Sequence, residues 1–325
     1  MGIRGKTVLL TGGTGSFGNK FVEYVLKNGK PGKLIIFSRD ELKQFEMMKK
    51  FKDRCIRFFL GDIRDAERLH RAFHGVDIVI HAAALKQVPM LEYNPFEAVK
   101  TNVIGAENII NAAIDNKVGK VIALSTDKAA NPINLYGATK LCADKLFISG
   151  NSYSGDARTK FSVVRYGNVF NSRGSVVPFF RDEAKKGVLP ITDSRMTRFW
   201  ITLEECVVFL LKSLDMMQGG EIFVPKIPSV KITDLAEAIA PGCRLKNIGI
   251  RPGEKLHEVL IPEDEAHHTI EFKGMYAILP HFRSWGKNIK YAGYKKVKDG
   301  FRYTSQDNPE FLTVRELRRT INGGS

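Results

Sequence analysis

The sequence predicts an α/β protein with a doubly wound parallel sheet followed by a smaller C-terminal domain. Short apolar runs alternate with helical segments without a break over about the first 150 residues, which is typical of strand–helix–strand units. A cluster of glycines directly follows the first apolar run. Beyond about residue 170, polar and basic segments punctuated by glycine separate shorter elements. We therefore expect one domain over residues 1–170 and a second over residues 171–325, with some later segments returning to the first.

The composition is that of a globular protein. The chain has 325 residues, of which 43% are hydrophobic and 26% are charged, enough to form a full core. No apolar run approaches the roughly 18 residues that a membrane span needs, and the N-terminus enters a strand rather than a signal peptide. The four cysteines have no metal or redox spacing; they are Cys55, Cys142, Cys206 and Cys243. We expect a cytoplasmic protein with reduced core thiols, no metal site and no membrane span.

The net charge is strongly positive. A formal charge of +15 favours anionic partners in general. The basic residues are dispersed, however, and the densest cluster, residues 295–298, lacks the interleaved aromatic side chains of a base-stacking surface. The sequence therefore does not favour a nucleic-acid partner.

The first predicted strand, Lys6–Thr11, runs into glycines with the spacing G-x-x-G-x-x-G and then into a helix from about Asn19 to Leu26. Glycines at such a turn let a pyrophosphate approach the backbone N–H groups at the helix N-terminus. The alternative is a glycine-rich connection without a ligand, but the flanking strand and helix favour a dinucleotide. The candidate cofactor-binding residues of this turn are Gly12, Thr14, Gly15, Ser16, Phe17 and Gly18.

The second strand, Lys33–Phe37, ends at the position where a dinucleotide fold selects its ribose. Arg39 after Ser38, with Lys43 one helical turn further on, suits the 2′-phosphate of NADP. Asp40 could instead bind the 2′-hydroxyl of NAD. We predict NADP, with Ser38, Arg39 and Lys43 among its ligands.

The third strand, Ile56–Leu60, and the fourth, Asp77–His81, are each followed by candidate cofactor contacts. Asp62, next to Ile63, could meet an adenine amino group, and its alternative role is to cap the next helix. The fourth strand leads into small residues that leave room for a ligand close to the backbone. The candidates after it are Ala82, Ala83 and Lys86.

A helix predicted from about Asn94 to Asn116 and a strand over Lys120–Leu124 lead to the most informative stretch, Ser125–Lys140. Tyr136 and Lys140 are four residues apart and so share one helix face, where an ammonium group favours phenolate and lowers the tyrosine pKa. Asp127 and Lys128 follow the strand, so they should lie at its C-terminal mouth, where open α/β sheets bind ligands. On spacing alone, an ordinary amphipathic helix with a solvated lysine is equally consistent.

A sixth strand, Lys160–Arg165, closes the regular alternation. Beyond it, three polar loops each offer an arginine, represented by Arg173, Arg198 and Arg251. Guanidinium groups that converge from separate loops can hold a diphosphate. The chain should end in a helix from about Glu310 to Ile321.

Together these motifs resemble the extended short-chain dehydrogenase/reductase family, whose fold is Rossmann-like, and the similarity runs from end to end of the chain. Within it, the chain is similar to the UDP-N-acetylglucosamine 4,6-dehydratases that invert C5 and begin pseudaminic acid synthesis. The triplet Thr126-Asp127-Lys128 is the most specific feature, because other sugar-nucleotide 4,6-dehydratases have Asp-Glu at this step. The segments that resemble the family are Thr11–Gly18, Ser38–Phe45, Ala82–Pro89, Ser125–Lys128, Tyr136–Lys140, Arg165–Val169 and Met196–Trp200.

The resemblance implies a role for each residue of the central stretch. Tyr136 would deprotonate O4, with Lys140 as its pKa partner and nicotinamide-ribose ligand and Thr126 as a hydrogen-bonding aid. Asp127 and Lys128 would be the acid and the base of dehydration, the lysine acting as a neutral amine in a cationic, partly desolvated site. The residues expected to bind the UDP-sugar are Lys86, Asn168, Val176, Thr192, Met196, Arg198, Arg251 and Glu254.

The resemblance also implies NADP as cofactor, UDP-GlcNAc as substrate and a homo-oligomer, either a dimer or a hexamer. Three alternatives stay open. A sugar-nucleotide epimerase or reductase would share Tyr136 and Lys140 but would not need Asp127 and Lys128. A dehydratase that retains C5 would differ only in product configuration, and a regulatory dinucleotide-binding protein would tolerate loss of Tyr136.

Overall fold

A sheet of ten described strands organises the molecule, seen in a computed structural model that describes residues 2–155, 159–170, 176–281 and 290–323. The strands of the whole described chain are Thr7–Thr11 (β1), Lys33–Ser38 (β2), Ile56–Leu60 (β3), Ile78–His81 (β4), Lys120–Thr126 (β5), Lys160–Tyr166 (β6), Asn168–Val169 (β7), Val188–Ile191 (β8), Thr197–Ile201 (β9), Ile222–Pro225 (β10), Ser229–Lys231 (β11), Arg244–Asn247 (β12), Val259–Ile261 (β13), Thr269–Phe272 (β14), Met275–Ile278 (β15), Lys295–Lys296 (β16) and Tyr303–Thr304 (β17).

The main sheet has the order β16-β14-β15-β10-β6-β5-β4-β1-β2-β3. Strands β3, β2, β1, β4, β5, β6 and β10 are parallel, and β15, β14 and β16 extend the sheet in antiparallel pairing. In the register of its centre, Val8 of β1 pairs with Leu34 on one side and Ile78 on the other. The strand order reverses around β1 as in dinucleotide-binding folds, which places a ligand site at the carboxyl ends of β1 and β4. The predicted fold class is confirmed.

Helices enclose the sheet in two layers. The described helices are Ser16–Asn28 (α1), Glu41–Lys50 (α2), Ala66–Ala72 (α3), Val88–Tyr93 (α4), Pro95–Val99 (α5), Gly105–Asp115 (α6), Leu135–Tyr153 (α7), Val176–Ala184 (α8), Leu203–Met216 (α9), Ile232–Ile239 (α10) and Val314–Gly323 (α11). Helix α1 packs against α9, and α6 lies between α3 and α7. Each layer buries one apolar face on the continuous hydrophobic strands of the parallel sheet.

The segment predicted as one helix from Asn94 to Asn116 is helical from Pro95 to Asp115. Asn94 precedes the first helical residue, Pro95 begins α5, and a π-helical turn over Lys100–Ile104 connects α5 to α6 without a break. Proline fits the first turn of a helix because its missing N–H is not needed there. In the π turn, the amide of Asn102 bonds both backbone groups of Leu85, so the irregular turn holds the loop that follows β4.

The described residues form two hydrophobic clusters. The larger one surrounds the main sheet, and strands β10, β14 and β15 contribute to it although they follow residue 170. The smaller one is built by α8, β8, β9, α10 and α11, with Trp200, Phe180 and Leu317 among its buried side chains. The C-terminal part of the chain thus adds a separate core beside the carboxyl ends of the parallel strands.

The cysteines lie in different environments. Cys206 is buried, Cys55 and Cys243 are half-buried, and Cys142 is exposed, so the expectation of core thiols is correct for Cys206 alone. Cys142 is exposed because it lies on the outer face of α7. Within the described ranges, no helix combines the length and the apolar character required to cross a bilayer.

Candidate active site

A cavity of about 1170 Å³ opens at the carboxyl ends of the parallel strands and extends to the smaller cluster. Its walls include the predicted catalytic residues Thr126, Asp127, Lys128, Tyr136 and Lys140. They also include the other predicted site residues Gly12, Thr14, Gly15, Ser16, Phe17, Ser38, Arg39, Lys43, Asp62, Ile63, Ala82, Ala83, Lys86, Asn168, Val176, Thr192, Met196, Arg198, Arg251 and Glu254. Gly18 alone among the predicted residues does not line it.

The glycine turn has the shape that a pyrophosphate requires. Gly12 has a φ of 65°, and a Cβ atom there would lie 2.8 Å from the backbone of Ala83. Gly15, which precedes α1, brings no capping side chain, and this suits an anionic ligand at the helix N-terminus. A Cβ atom at Gly18 would lie 2.0 Å from the oxygen of Gly13, so Gly18 packs the helix against the turn instead of contacting the cavity. These residues therefore fit a dinucleotide.

At the end of β2, the acidic and basic side chains make different contacts. Asp40 caps α2 by accepting a hydrogen bond from the Lys43 N–H at 3.0 Å, and its carboxylate also pairs with the Lys43 ammonium group. Arg39 remains 54% exposed, and its Nη1 atom lies 3.5 Å from Asp62 Oδ2. Asp40 is thus engaged by its own helix and partly neutralises Lys43, whereas Arg39 lines the cavity with a largely exposed guanidinium group.

Asp62 lines the cavity and does not cap a helix. The residue that caps α3 is Asp65, which accepts from the Arg68 N–H at 2.9 Å, so the alternative role considered for Asp62 is wrong. Burial raises the pKa of Asp62, but hydrogen bonds from Arg64 and the charges of Arg64 and Arg39 outweigh it and hold that pKa below its ordinary value. Asp62 is therefore an anion beside Arg39.

The catalytic candidates are brought together where β5 ends. One 3₁₀ turn, Asp127–Ala129, follows the strand, and α7 begins after Asn134, whose side chain accepts from the Gly137 N–H at 2.8 Å. A Cβ atom at Gly137 would lie 2.1 Å from the carbonyl oxygen of Lys128. Only glycine permits this approach, which sets Tyr136 on the first turn of α7 beside Asp127 and Lys128.

Tyr136 differs from the expectation. Partial burial raises its pKa to about 12, and the charge of Lys128 and a hydrogen bond from Thr126 lower it only in part. Lys140 is buried and donates to the Leu124 carbonyl at 2.8 Å. Burial lowers the pKa of Lys140, and Asp144 offsets this. The cation that acts on the phenol in the protein itself is thus Lys128, and the predicted lowering of the tyrosine pKa by Lys140 is not observed, because desolvation dominates.

Lys128 lies between two buried carboxylates. Its Nζ atom is 3.0 Å from Asp127 Oδ1 and 3.3 Å from Glu258 Oε1. Burial favours the neutral amine, but the charges of Asp127 and Glu258 outweigh it and raise the pKa of Lys128 above its ordinary value. The resemblance implies a cationic site that keeps this lysine neutral. In the structure, Asp127 and the remote Glu258 instead favour the protonated form of Lys128, so a neutral amine would require its proton to move to a neighbouring acid.

The same geometry supports Asp127 as an acid. Burial and the neighbouring Glu258 raise the pKa of Asp127, whereas Lys128 and Arg198 outweigh burial and lower that of Glu258. Asp127 Oδ2 and Glu258 Oε2 are both buried without a hydrogen-bond partner among the described residues. Sequence reasoning missed Glu258. Its signal was an acid directly before an apolar strand, Val259–Ile261, where a buried carboxylate needs a partner.

The predicted arginines are placed differently from one another. Arg198 is buried and donates to the carbonyls of Thr197, Lys255 and Leu256 at 2.7 to 3.0 Å, so most of its N–H groups fix the cavity wall. Arg251 is exposed at the cavity. Arg173 lies outside the described residues.

Comparison with known proteins identifies the family. The sequence matches the family described as polysaccharide biosynthesis protein over residues 8–280. The chain belongs to this family. A Campylobacter jejuni member named UDP-N-acetylglucosamine 4,6-dehydratase (inverting) is 56% identical over 98% of both chains. A Rickettsia conorii member named UDP-glucose 4-epimerase is 42% identical over 97% of this chain and 95% of its own.

Among solved structures, Pen from Bacillus thuringiensis has a TM-score of 0.91 and 38% identity, covering 100% of this chain and 99% of its own. The similarity to the Campylobacter relative and to Pen covers 98% and 100% of this chain, respectively. The predicted resemblance to the inverting dehydratases is confirmed.

Proposed function

We propose that this protein is an NADP-dependent UDP-N-acetylglucosamine 4,6-dehydratase that inverts C5. The observation that carries the proposal is the buried cluster of Asp127, Lys128 and Tyr136 at a cavity large enough for two nucleotides, in a chain 56% identical to a relative of that name. The product would be UDP-2-acetamido-2,6-dideoxy-β-L-arabino-hex-4-ulose. Its formation would be the first step of pseudaminic acid or related deoxy-sugar synthesis.

Bound NADP would be held by the glycine turn and Arg39, and its chemistry is to accept hydride from C4 and to return it to C6. Tyr136 takes the proton of O4. Because partial burial raises its pKa to about 12, the phenol depends on the Lys128 charge and the Thr126 hydrogen bond to act as a base. Lys140, fixed on the Leu124 carbonyl, would hold the nicotinamide ribose of bound NADP.

Asp127 and Lys128 act as one acid–base pair that shares a proton. Transfer of a proton from Lys128 to Asp127 across their 3.0 Å contact yields a neutral amine and a neutral carboxylic acid at once. The amine removes the C5 proton, which the neighbouring ketone has acidified, and the acid protonates the departing 6-hydroxyl group. The proton that C5 later receives from its opposite face balances the one that Tyr136 took from O4, so the only net loss is one water.

The preference for NADP is supported by the position of Arg39 at the end of β2 and by the use of Asp40 as a helix cap. The four cysteines are all unpaired, which is typical of a reducing compartment and supports a cytoplasmic location. We also propose a homo-oligomer formed by copies of this chain. The consecutive short helices α4 and α5 expose the apolar side chains of Met90, Tyr93 and Phe96, which a second copy would cover.

The test is the product formed from UDP-GlcNAc with a catalytic amount of NADP, examined by mass and by NMR. We expect a product lighter by one water, with L configuration at C5 and without accumulation of free NADPH. An isomer of unchanged mass would instead establish an epimerase, the alternative suggested by the Rickettsia relative. A dehydrated product with D configuration at C5 would establish a retaining dehydratase. Stoichiometric release of NADPH would contradict both dehydratase assignments.

A further inference from the structure

Glu258 is a buried carboxylate that faces the acid–base pair from behind. It is 2% exposed and is absent from the cavity wall. Its Oε1 atom lies 3.3 Å from Lys128 Nζ and 3.6 Å from Arg198 Nε. A carboxylate so buried is costly unless cations compensate its charge, and Lys128 and Arg198 do so here.

The backbone of Glu258 is held rigidly. Its N–H donates to the Ser305 hydroxyl at 2.9 Å, and its carbonyl accepts from the Ser305 N–H at 2.8 Å. Directly after it, β13 pairs with β17, so the carboxylate is fixed relative to the C-terminal segment. Glu258 therefore presents a negative charge at a constant position, independent of the substrate.

The charged and titratable groups that surround this arrangement come from several elements. Asp127 and Lys128 come from the 3₁₀ turn, Tyr136 from α7 and Arg198 from β9. The remaining ones are Lys86, Glu254, Lys255 and His257. The charges of Lys128, Arg198 and Lys255 outweigh burial and lower the pKa of Glu258, and Arg198 and Lys255 remain beside it when Lys128 gives up its proton. Without Glu258, Arg198 and Lys255 would repel the shared proton.

We propose that Glu258 is a positioning residue whose fixed charge keeps one proton on the Asp127–Lys128 pair and holds Lys128 beside Asp127. The proposal rests on the dehydratase function. Before dehydration the pair is a carboxylic acid and an amine. The amine takes the C5 proton, the acid gives its proton to the leaving oxygen as the C6–O bond breaks, and the pair becomes carboxylate and ammonium. One proton transferred back across the 3.0 Å contact restores it, with no proton gained or lost.

The sign of the effect follows from the charge. A negative charge near Lys128 favours its protonated form, and the same charge near Asp127 also favours the protonated form. Replacing Glu258 by neutral glutamine therefore moves the titrations of both Asp127 and Lys128 to lower pH. Since the pH dependence of kcat reports the groups of the substrate complex, both limbs of that profile shift together.

The experiment compares kcat for water loss against pH in the wild type, Glu258→Gln, Glu258→Asp and Glu221→Gln. Glu221 is a matched control because it is fully buried and hydrogen-bonded to Ser162, and it lies at the amino end of β10, whereas the site lies at the carboxyl ends of the parallel strands. We expect both limbs of Glu258→Gln to shift down by about one to three pH units, with KM nearly unchanged. Glu258→Asp keeps the charge but moves it, so it should shift the limbs less. Glu221→Gln should lower the melting temperature without moving the limbs.

If a folded Glu258→Gln variant has the same pH profile of kcat as the wild type, the proposal is overturned. If Glu258→Gln does not fold, Glu258→Asp decides: a lower kcat with limbs moved downward supports the proposal, and wild-type kcat and limbs refute it. A wild type that forms no dehydrated product refutes the dehydratase function itself, and with it this role. Because the wild type is assayed first, failure of the dehydratase function is distinguished from failure of the role proposed for Glu258.

Discussion

Lys128 and Glu258 are 130 residues apart in the sequence, and their Nζ and Oε1 atoms lie 3.3 Å apart. This contact, together with the 3.0 Å contact to Asp127, converts a lysine at a strand end into the centre of a buried ion triad. It explains why burial alone does not neutralise Lys128, and it makes the charge state of the site depend on both parts of the chain.

Lys128→Ala should abolish dehydration while leaving the fold and cofactor binding intact. Loss of a general base lowers the rate by about 10²- to 10⁴-fold. Lys128→Arg should be nearly as inactive, because a guanidinium group keeps the charge but is too basic to accept the C5 proton. The measurement is product formation in D₂O, where the wild-type product should carry deuterium at C5. An active Lys128→Arg variant would mean that the lysine serves only as a charge.

Tyr136→Phe should prevent the first proton transfer, from O4. Without a C4 ketone the C5 hydrogen is not acidic, so we expect neither water loss nor exchange of C5 hydrogen with D₂O. Its melting temperature should change little, because the raised pKa keeps the phenol neutral in the protein and phenylalanine retains the packing of the ring. Exchange at C5 in this variant would show that another residue deprotonates O4. Lys140→Met, which removes the ammonium group held on Leu124, tests the supporting residue separately.

Arg39→Asp should reverse the cofactor preference. Loss of a charge-assisted phosphate contact and repulsion by the new acid should weaken NADP binding by at least about 1.5–3 kcal/mol, with little effect on NAD. Arg71→Asp is the matched control, since Arg71 is exposed on α3 of the same domain and does not line the cavity. The readout is the ratio of the two dissociation constants. A ratio equal to that of the wild type would show that Arg39 does not bind the 2′-phosphate.

Gly137→Ala should destabilise the protein and the active site together. The added Cβ atom would lie 2.1 Å from the Lys128 carbonyl oxygen, so α7 or the 3₁₀ turn must move, at a cost of about 1–3 kcal/mol. Gly150→Ala is the control in the same helix, where the nearest atoms are side-chain carbons at 3.2 Å and 3.3 Å. Thermal unfolding and kcat measure the two effects. Equal stability and activity for both variants would contradict the close packing of turn and helix.

Much of the fold and of the cavity wall could be predicted because the signals are local. The spacing of apolar residues predicts β1 to β6 within one or two residues, and the glycine turn lies between β1 and α1 as expected. The four-residue spacing of Tyr136 and Lys140 places both at the cavity for the same reason. The predicted helix from Asn94 to Asn116 is observed from Pro95 to Asp115, but spacing alone did not predict the π-helical turn within it, or that Asp40 and Asp65 cap α2 and α3.

By itself, the sequence determined the order of strands and helices, the glycine turn between β1 and α1, and the side chains of Asp127, Lys128 and Tyr136 that line the cavity where β5 ends. Only the tertiary structure decided their protonation. The pKa of Lys128 is raised because the charges of Asp127 and of the remote Glu258 lie beside it, and the pKa of Tyr136 is raised because folding removes water from the phenol. Spacing along a chain fixes which groups share a strand end or a helix face. Desolvation and charge–charge energies depend on distances in space, and these are set when remote segments pack together.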